Sequence, residues 1–363
     1  MVEKIPKIIV APLDWGLGHA TRCIPIIYEL IKASCEVLIA AEGAPRAILT
    51  TEFPGIRVLD LPGYQLRYGR NAWLTRLRIG MQIPKIVQRI RRERSWLTEI
   101  IAKEDPDAII SDNRYGLCAP GLRSVFLTHQ LHIKTGLGAF LDHLVEKWNH
   151  RKIRRFSACW IPDYMGDGAL SGELSHPAII PGMDIRFIGP LSRFVPCKEA
   201  VSDQVLILLS GPEPQRSILE KQVLRQCMNY RSKVILVRGL PLESPLPMVE
   251  KHVSIHNHLQ TEILNKLICE SAIIICRSGY SSIMDIMRLG KKSILIPTPG
   301  QSEQQYLGQW MHENKLALCV TQNRFSILTS LQEAEKFHYD IYTQRDATLL
   351  QGAVSDLLAH CRS

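Results

Sequence analysis

Asp14-Trp-Gly-Leu-Gly-His-Ala-Thr-Arg22 follows closely on the apolar run Ile8–Ala11. A strand that merely turns a corner has no need of an aspartate, a histidine and an arginine there. Gly16 and Gly18 would let a ligand approach the backbone, and the N–H groups opening the next helix favour an anion or a polar hydroxyl. At that helix start His19 is exposed enough to act as a base, with the Asp14 carboxylate nearby. The plainer reading is a capping aspartate and a hydrogen-bonded surface histidine. The dinucleotide fingerprint is not met, because Gly16-x-Gly18-x-x ends in Thr21.

A second constellation spans 276–305. A strand ends at Arg277-Ser278-Gly279, a helix opens with two more serines, and Asp285 sits in its first two turns. Glu303 and Gln304 follow the next strand. This order sets a helix N-terminus suited to phosphates beside carboxylates able to accept from sugar hydroxyls. Two metal patterns are weaker. Asp105-Pro106-Asp107 precedes a strand and reads as a solvated turn. His252, His256 and His258 have no evident fourth ligand, so loop histidines are the better reading and no metal site is expected.

The elements that must hold these residues alternate strand and helix. Strand-like runs cover 8–11, 36–41, 57–61, 107–111 and 124–128, with helices over 21–33 and 44–51 between the first of them. Residues 160–204, rich in Pro, Gly, Ser and Asp, read as the tail of a first domain and a crossing linker. The alternation restarts with strands at 205–209, 234–237, 253–255, 272–276 and 293–296, and helices at 217–229, 261–269 and 281–289. The pattern predicts a doubly wound α/β fold in two halves. The expected division is 1–200, 201–340 and a closing C-terminal helix within 341–363.

At 363 residues, 46% hydrophobic and 22% charged, the chain is long enough for two full cores. It shows neither a run of membrane-spanning length nor a signal layout, so a cytoplasmic protein is expected. Ten scattered cysteines without a C-x-x-C pair read as reduced, mostly buried thiols. The net charge of +9 is concentrated in the first half, with nine Arg/Lys and one acid, Glu93, from Arg67 to Arg94.

The 276–305 segment closely resembles the C-terminal domain of glycosyltransferase family 28, which includes the N-acetylglucosaminyltransferase of lipid II synthesis. Arg277-Ser278-Gly279, the acid on the helix, Leu289-Gly290-Lys291, Ile294–Pro297 and Glu303-Gln304 carry the likeness. It extends to the first half through Gly16-x-Gly18-His19 and Thr128-His129-Gln130, and through Leu209-Ser210-Gly211 it covers most of the chain. Lys292 and Ser-Gly-Pro-Glu-Pro (210–214) depart from the family pattern.

The resemblance implies a GT-B fold, two Rossmann-like domains facing across a cleft, with a UDP-linked nucleotide sugar held mainly by the second. Ser210 and Gly211 would meet the diphosphate, the region of Leu259 the base, and Asp285 the ribose. Arg277, Ser278 and Gly279 would complete the donor side, and Glu303 and Gln304 would grip the sugar. His19, with Asp14, would deprotonate an acceptor hydroxyl beside Gly16, Gly18, His129 and Gln130. It implies neither cofactor nor metal.

The expected activity is hexosyl or N-acetylhexosaminyl transfer to a cell-envelope glycolipid or saccharide, with inversion. A nucleotide-sugar hydrolase on the same scaffold and a non-catalytic membrane- or partner-binding scaffold are the alternatives. Arginines alternate with apolar positions through 67–101, which reads either as a helix packed on the sheet with a solvated arginine face or as peripheral contact with anionic lipid on the inner membrane face. No recognised nucleic-acid-binding motif accompanies that charge.

Overall fold

The computed structural model describes residues 4–66, 69, 74, 78, 80–166, 168–176, 179–180, 182–196, 202–242, 244–341 and 348–361. The first domain contains β1 (Lys7–Ala11), α1 (Leu17–Lys32), β2 (Glu36–Ala40), α2 (Gly43–Glu52), β3 (Val58–Leu59), α3 (Ile83–Glu104), β4 (Ala108–Asp112), β5 (Arg123–Leu127), α4 (Ala139–Ile153), β6 (Ala158–Ile161) and β7 (Ile185–Phe187). The second contains β8 (Ser202–Leu208), α5 (Gln215–Cys227), β9 (Val234–Val237), β10 (Val253–His256), α6 (Thr261–Glu270), β11 (Ser271–Cys276), α7 (Tyr280–Leu289), β12 (Ser293–Leu295), α8 (Ser302–Glu313), β13 (Leu318–Cys319) and α9 (Ile327–Lys336). α10 (Thr348–Ala359) closes the chain.

All ladders are parallel, in the orders β3-β2-β1-β4-β5-β6-β7 and β10-β9-β8-β11-β12-β13. Parallel strands covered on both faces need continuous apolar runs, and Ile8, Ile9 and Val10 in β1 and Ile274 and Ile275 in β11 are fully buried. In each sheet the strand order reverses beside the first strand, between β1 and β4 and between β8 and β11. Crevices open at the carboxyl ends of such strands. The loops after β1 and β4 therefore face one crevice, and those after β8 and β11 another.

Residues 160–204, expected to be irregular, contribute the end of β6 and all of β7 to the first sheet. The chain crosses to the second domain through 189–196, and α10 returns to pack on α1. Cys361 Sγ reaches the Asp107 carbonyl, at 3.8 Å. Of the cysteines read as reduced thiols, eight are free, whereas Cys269 is disulfide-bonded; Cys197 lies outside the described residues. The Asp105–Asp107 turn is bound by Lys4 Nζ, and Asp107 also accepts from the Lys7 amide at 2.7 Å. Among the described residues no three His, Cys, Asp or Glu side chains gather as metal ligands, and no helix is long and apolar enough to cross a membrane.

Glu93, the single acid of the basic segment, faces inward on α3 and is buried. It accepts from Arg114 Nε at 2.9 Å, the Gly116 amide at 2.9 Å and Tyr64 Oη at 3.0 Å. Burial pushes its carboxyl up, with Arg114 acting against that shift. Removing one partner leaves a buried arginine uncompensated, so Glu93→Ala is expected to cost about 3–5 kcal/mol in urea unfolding. A loss within about 0.5 kcal/mol, the range of surface substitutions, would contradict this role.

Candidate active site between the domains

Asp112 ends β4, beside β1, and is fully buried. Arg22, one turn into α1 and 2% exposed, grips it with Nε at 2.9 Å and with Nη2. His19 Nδ1 lies 3.0 Å from Asp112 Oδ2. Burial would raise the Asp112 carboxyl, but Arg22 and His19 outweigh it and hold it at about 2. The same Nδ1 lies 2.9 Å from Arg22 Nη2, so it faces both the carboxylate and the guanidinium. The tautomer with the proton on Nδ1, donated to Asp112, is the one that leaves the Nε2 lone pair open to accept another.

Asp14, expected beside His19, is turned elsewhere. Gly16 adopts φ +100° and swings the chain into α1, while the Asp14 carboxylate accepts from the Tyr64 amide at 2.8 Å and the Gln65 amide at 2.9 Å. Asp112 occupies the position expected of Asp14. Gly18 matters for a different reason. A Cβ there would stand 2.7 Å from Ser281 Oγ, which donates to the Gly18 carbonyl at 2.9 Å across the domain seam. Gly18 thus sets how closely α1 and the start of α7 approach.

The second side of the seam is only partly as expected. Glu303, in the first turn of α8, meets His129 Nε2 at 2.8 Å, with Gln130 alongside. Gln304 is turned inward, its Oε1 accepting from the Thr298 amide at 2.9 Å and its carbonyl from Ser278 Oγ at 2.7 Å. Both bonds brace the 297–304 turn. Arg277 is likewise a brace: fully buried, it donates to the carbonyls of Gln215 at 2.9 Å and Ile296 at 3.2 Å. Burial lowers its guanidinium to about 10.

Asp285 lies on α7 but accepts from Ser192 Oγ of the crossing segment at 2.6 Å. The region of Leu259 is engaged too, since Thr261 Oγ1 donates to Glu52 of the first domain at 2.7 Å and receives Arg193 at 3.1 Å. Arg277, Asp285 and Glu303 therefore do not form one cluster; of the three, only Glu303 meets the first domain. Ser210 and Gly211, φ +99°, follow β8. Beside them lies the buried Thr298 hydroxyl, 3.8 Å from a Gly211 Cβ and without a hydrogen-bond partner. Gly279 precedes α7 with open space at its Cβ position. A cavity of about 250 Å³ lies at the crossing, lined by Pro25, Tyr28, Ser192, Arg193, Met287 and Arg288. Of the three histidines weighed for zinc, His252 donates Nε2–H to the Cys227 carbonyl at 3.0 Å.

Residues 218–350 match the family model of the glycosyltransferase family 28 C-terminal domain. An uncharacterized glycosyltransferase of Methanosarcina mazei is 22% identical over 329 residues, covering 82% of this chain and 81% of that protein. Among solved structures, the glycotransferase of kitacinnamycin superposes with a TM-score of 0.63 at 14% identity, covering 99% of this chain and 96% of that one. MurG of Acinetobacter baumannii gives 0.56 at 11%, covering 98% and 100%. Arabidopsis thaliana UGT89C1, complexed with UDP-L-rhamnose, gives 0.60 at 13%, covering 98% and 94%. The chain is a glycosyltransferase of the GT-B fold whose second domain matches the family 28 C-terminal model.

In this glycosyltransferase the features that sequence reasoning missed are Asp112, Arg22 and the seam contacts of Tyr280 and Ser281. Tyr280 stacks on His129 with centroids 4.2 Å apart, and its hydroxyl donates to the Pro162 carbonyl at 2.8 Å. An acid closing the buried strand Ala108-Ile-Ile-Ser-Asp112 was the one available signal for Asp112.

Burial raises the Asp285 carboxyl from 3.8 to about 6, against Ser192 and Arg193. A raised folded value means its contribution to stability is complete below pH 3.8 and is lost as pH climbs through about 6. Asp285→Asn is therefore expected to stabilise the protein at pH 7.5 by about 1–3 kcal/mol and to have little effect at pH 4. Equal effects at both pH values in thermal unfolding would contradict this.

Proposed function

We propose that this glycosyltransferase moves a hexosyl or N-acetylhexosaminyl group from a UDP-sugar to a hydroxyl of a cell-envelope glycolipid or saccharide, in one inverting displacement without a metal ion. The observation carrying the proposal is His19, oriented by Asp112 beside the seam where Gly18 meets Ser281 at the start of α7. His19 Nε2 takes the acceptor proton as that oxygen attacks the anomeric carbon. The bond from that carbon to the diphosphate oxygen breaks on the opposite face. The amides opening α7 and the Ser210-Gly211 turn receive the departing charge. The Thr298 hydroxyl is a further donor for that charge. UGT89C1 with its UDP-L-rhamnose supports the nucleotide-sugar class.

The acceptor side supports a lipid-borne substrate. Leu137, Phe140, Leu141 and Leu144 are exposed at the N-terminal end of α4, Phe140 by 75%. Trp148 packs beside Ile86 and Ile90 of α3, so α4 and α3 are neighbours, and Ile83 and Val87 are exposed on α3 with Met81 just before it. Arg91, Arg92, Lys147 and Arg151 are exposed further along the same helices, and Arg154 and Arg155 just after α4. Apolar side chains flanked by cations suit an anionic lipid surface. Much of 67–79, including Trp73 and Leu77, lies outside the described residues.

A general base contributes about 10²–10⁴-fold, so His19→Ala is expected to lower kcat by that factor with the fold retained. Unchanged turnover of every active UDP-sugar would remove His19 from the mechanism. The double substitution Phe140→Asp, Leu144→Asp is expected to weaken cosedimentation with phosphatidylglycerol vesicles roughly tenfold. Undiminished binding would exclude α4 as the lipid-facing element.

A further inference from the structure

His129 is buried at the seam and makes directional contacts with both domains. Arg22 Nη1 donates to its Nδ1 at 3.2 Å, which fixes the other ring nitrogen as Nε2–H, and Nε2–H donates to Glu303 Oε1 at 2.8 Å. Its face lies on Tyr280, 4.2 Å between centroids and 13° from parallel. Burial lowers its basicity, and Arg22 and His19 act in the same direction while Glu303 opposes. The neutral ring is the form these contacts require, because a protonated Nδ1 would face a guanidinium donor.

The contacts form one continuous chain: Glu303, His129, Arg22, Asp112, His19. We propose that His129 is a positioning residue that couples the donor-side carboxylate Glu303 to the proton-accepting His19–Asp112 unit. This rests on the transferase mechanism above and adds a dependence of the base on closure of the seam. With Glu303 in place, His129 holds Arg22, and Arg22 holds the carboxylate that orients His19. The groups facing His129 are Arg22 and His19 from α1, Glu303 from α8 and the Tyr280 ring from α7. Asp112 of β4 stands behind Arg22. One ring supplies a donor, an acceptor and a stacking face; glutamine can supply the first two, and phenylalanine only the third.

The test uses the full chain with His129→Phe, His129→Gln, Glu303→Gln and the double variants, scored by kcat and donor KM for UDP release. His129→Phe is expected to lower kcat about tenfold or more with a smaller change in KM, and His129→Gln to recover part of the loss. Adding Glu303→Gln to His129→Phe is expected to cost much less than adding it to the natural protein, because the link is already broken. Effects of the two single variants that multiply, or a His129→Phe enzyme with unchanged kcat, would overturn the coupling. If His129→Phe does not fold, His129→Gln carries the cycle, and independent effects overturn it equally. Should the natural protein turn over no nucleotide sugar, the transferase mechanism fails, and the same cycle read in melting temperatures decides the coupling. Non-additive shifts support it, and additive shifts overturn it.

Discussion

A buried ion pair between Arg22 and Asp112 is the constraint on which the site depends. Neither side chain has appreciable access to water, and removing two charges from solvent is favourable only when their remaining hydrogen-bonding capacity is also satisfied. Here the neighbours that complete that capacity are the chemically interesting ones. Asp112 takes His19 on one carboxylate oxygen, and Arg22 extends its other amino group to His129. Satisfying a costly pair thereby holds two histidines in place, one at the seam and one on it.

The fold makes the pair unavoidable. α1 starts directly after β1, and β4 is hydrogen-bonded to β1 at the point where the strand order reverses. A residue one turn into α1 therefore faces the last residue of β4, although they are 90 positions apart. The second domain repeats this geometry with β8, β11 and α7, but its switch point brings Ser281 to the seam through a glycine contact instead of an ion pair. In the proposed mechanism one domain supplies oriented proton chemistry and the other supplies helix-end amides. The crossing at 189–196 and the return of α10 onto α1 hold them face to face.

How much of this is legible in the sequence follows from the range of each interaction. Buried parallel strands announce themselves as Ile/Val runs, so the two-sheet fold and most strands can be read directly. The three-residue β7, Ile185–Phe187, has too few positions for a pattern and reads as part of a linker. His19 is recognisable because glycines and a helix start surround it locally. Its carboxylate is not, because adjacency in sequence favours Asp14, while the positive φ of Gly16 separates the two side chains. Gln304 and Arg277 read as ligand-binding residues for a related reason. Polar residues at strand ends can serve a ligand or the turn's own carbonyls and amides, and only coordinates distinguish the two uses.

The most direct measurement is a crystal structure of the protein with UDP. The account predicts the diphosphate against the first turn of α7, with His19 Nδ1 still on Asp112 and Nε2 open to the space beyond the diphosphate. A diphosphate seated instead in the cavity beside Ser192 and Arg288, or a His19 ring released from Asp112 with nucleotide bound, would contradict it.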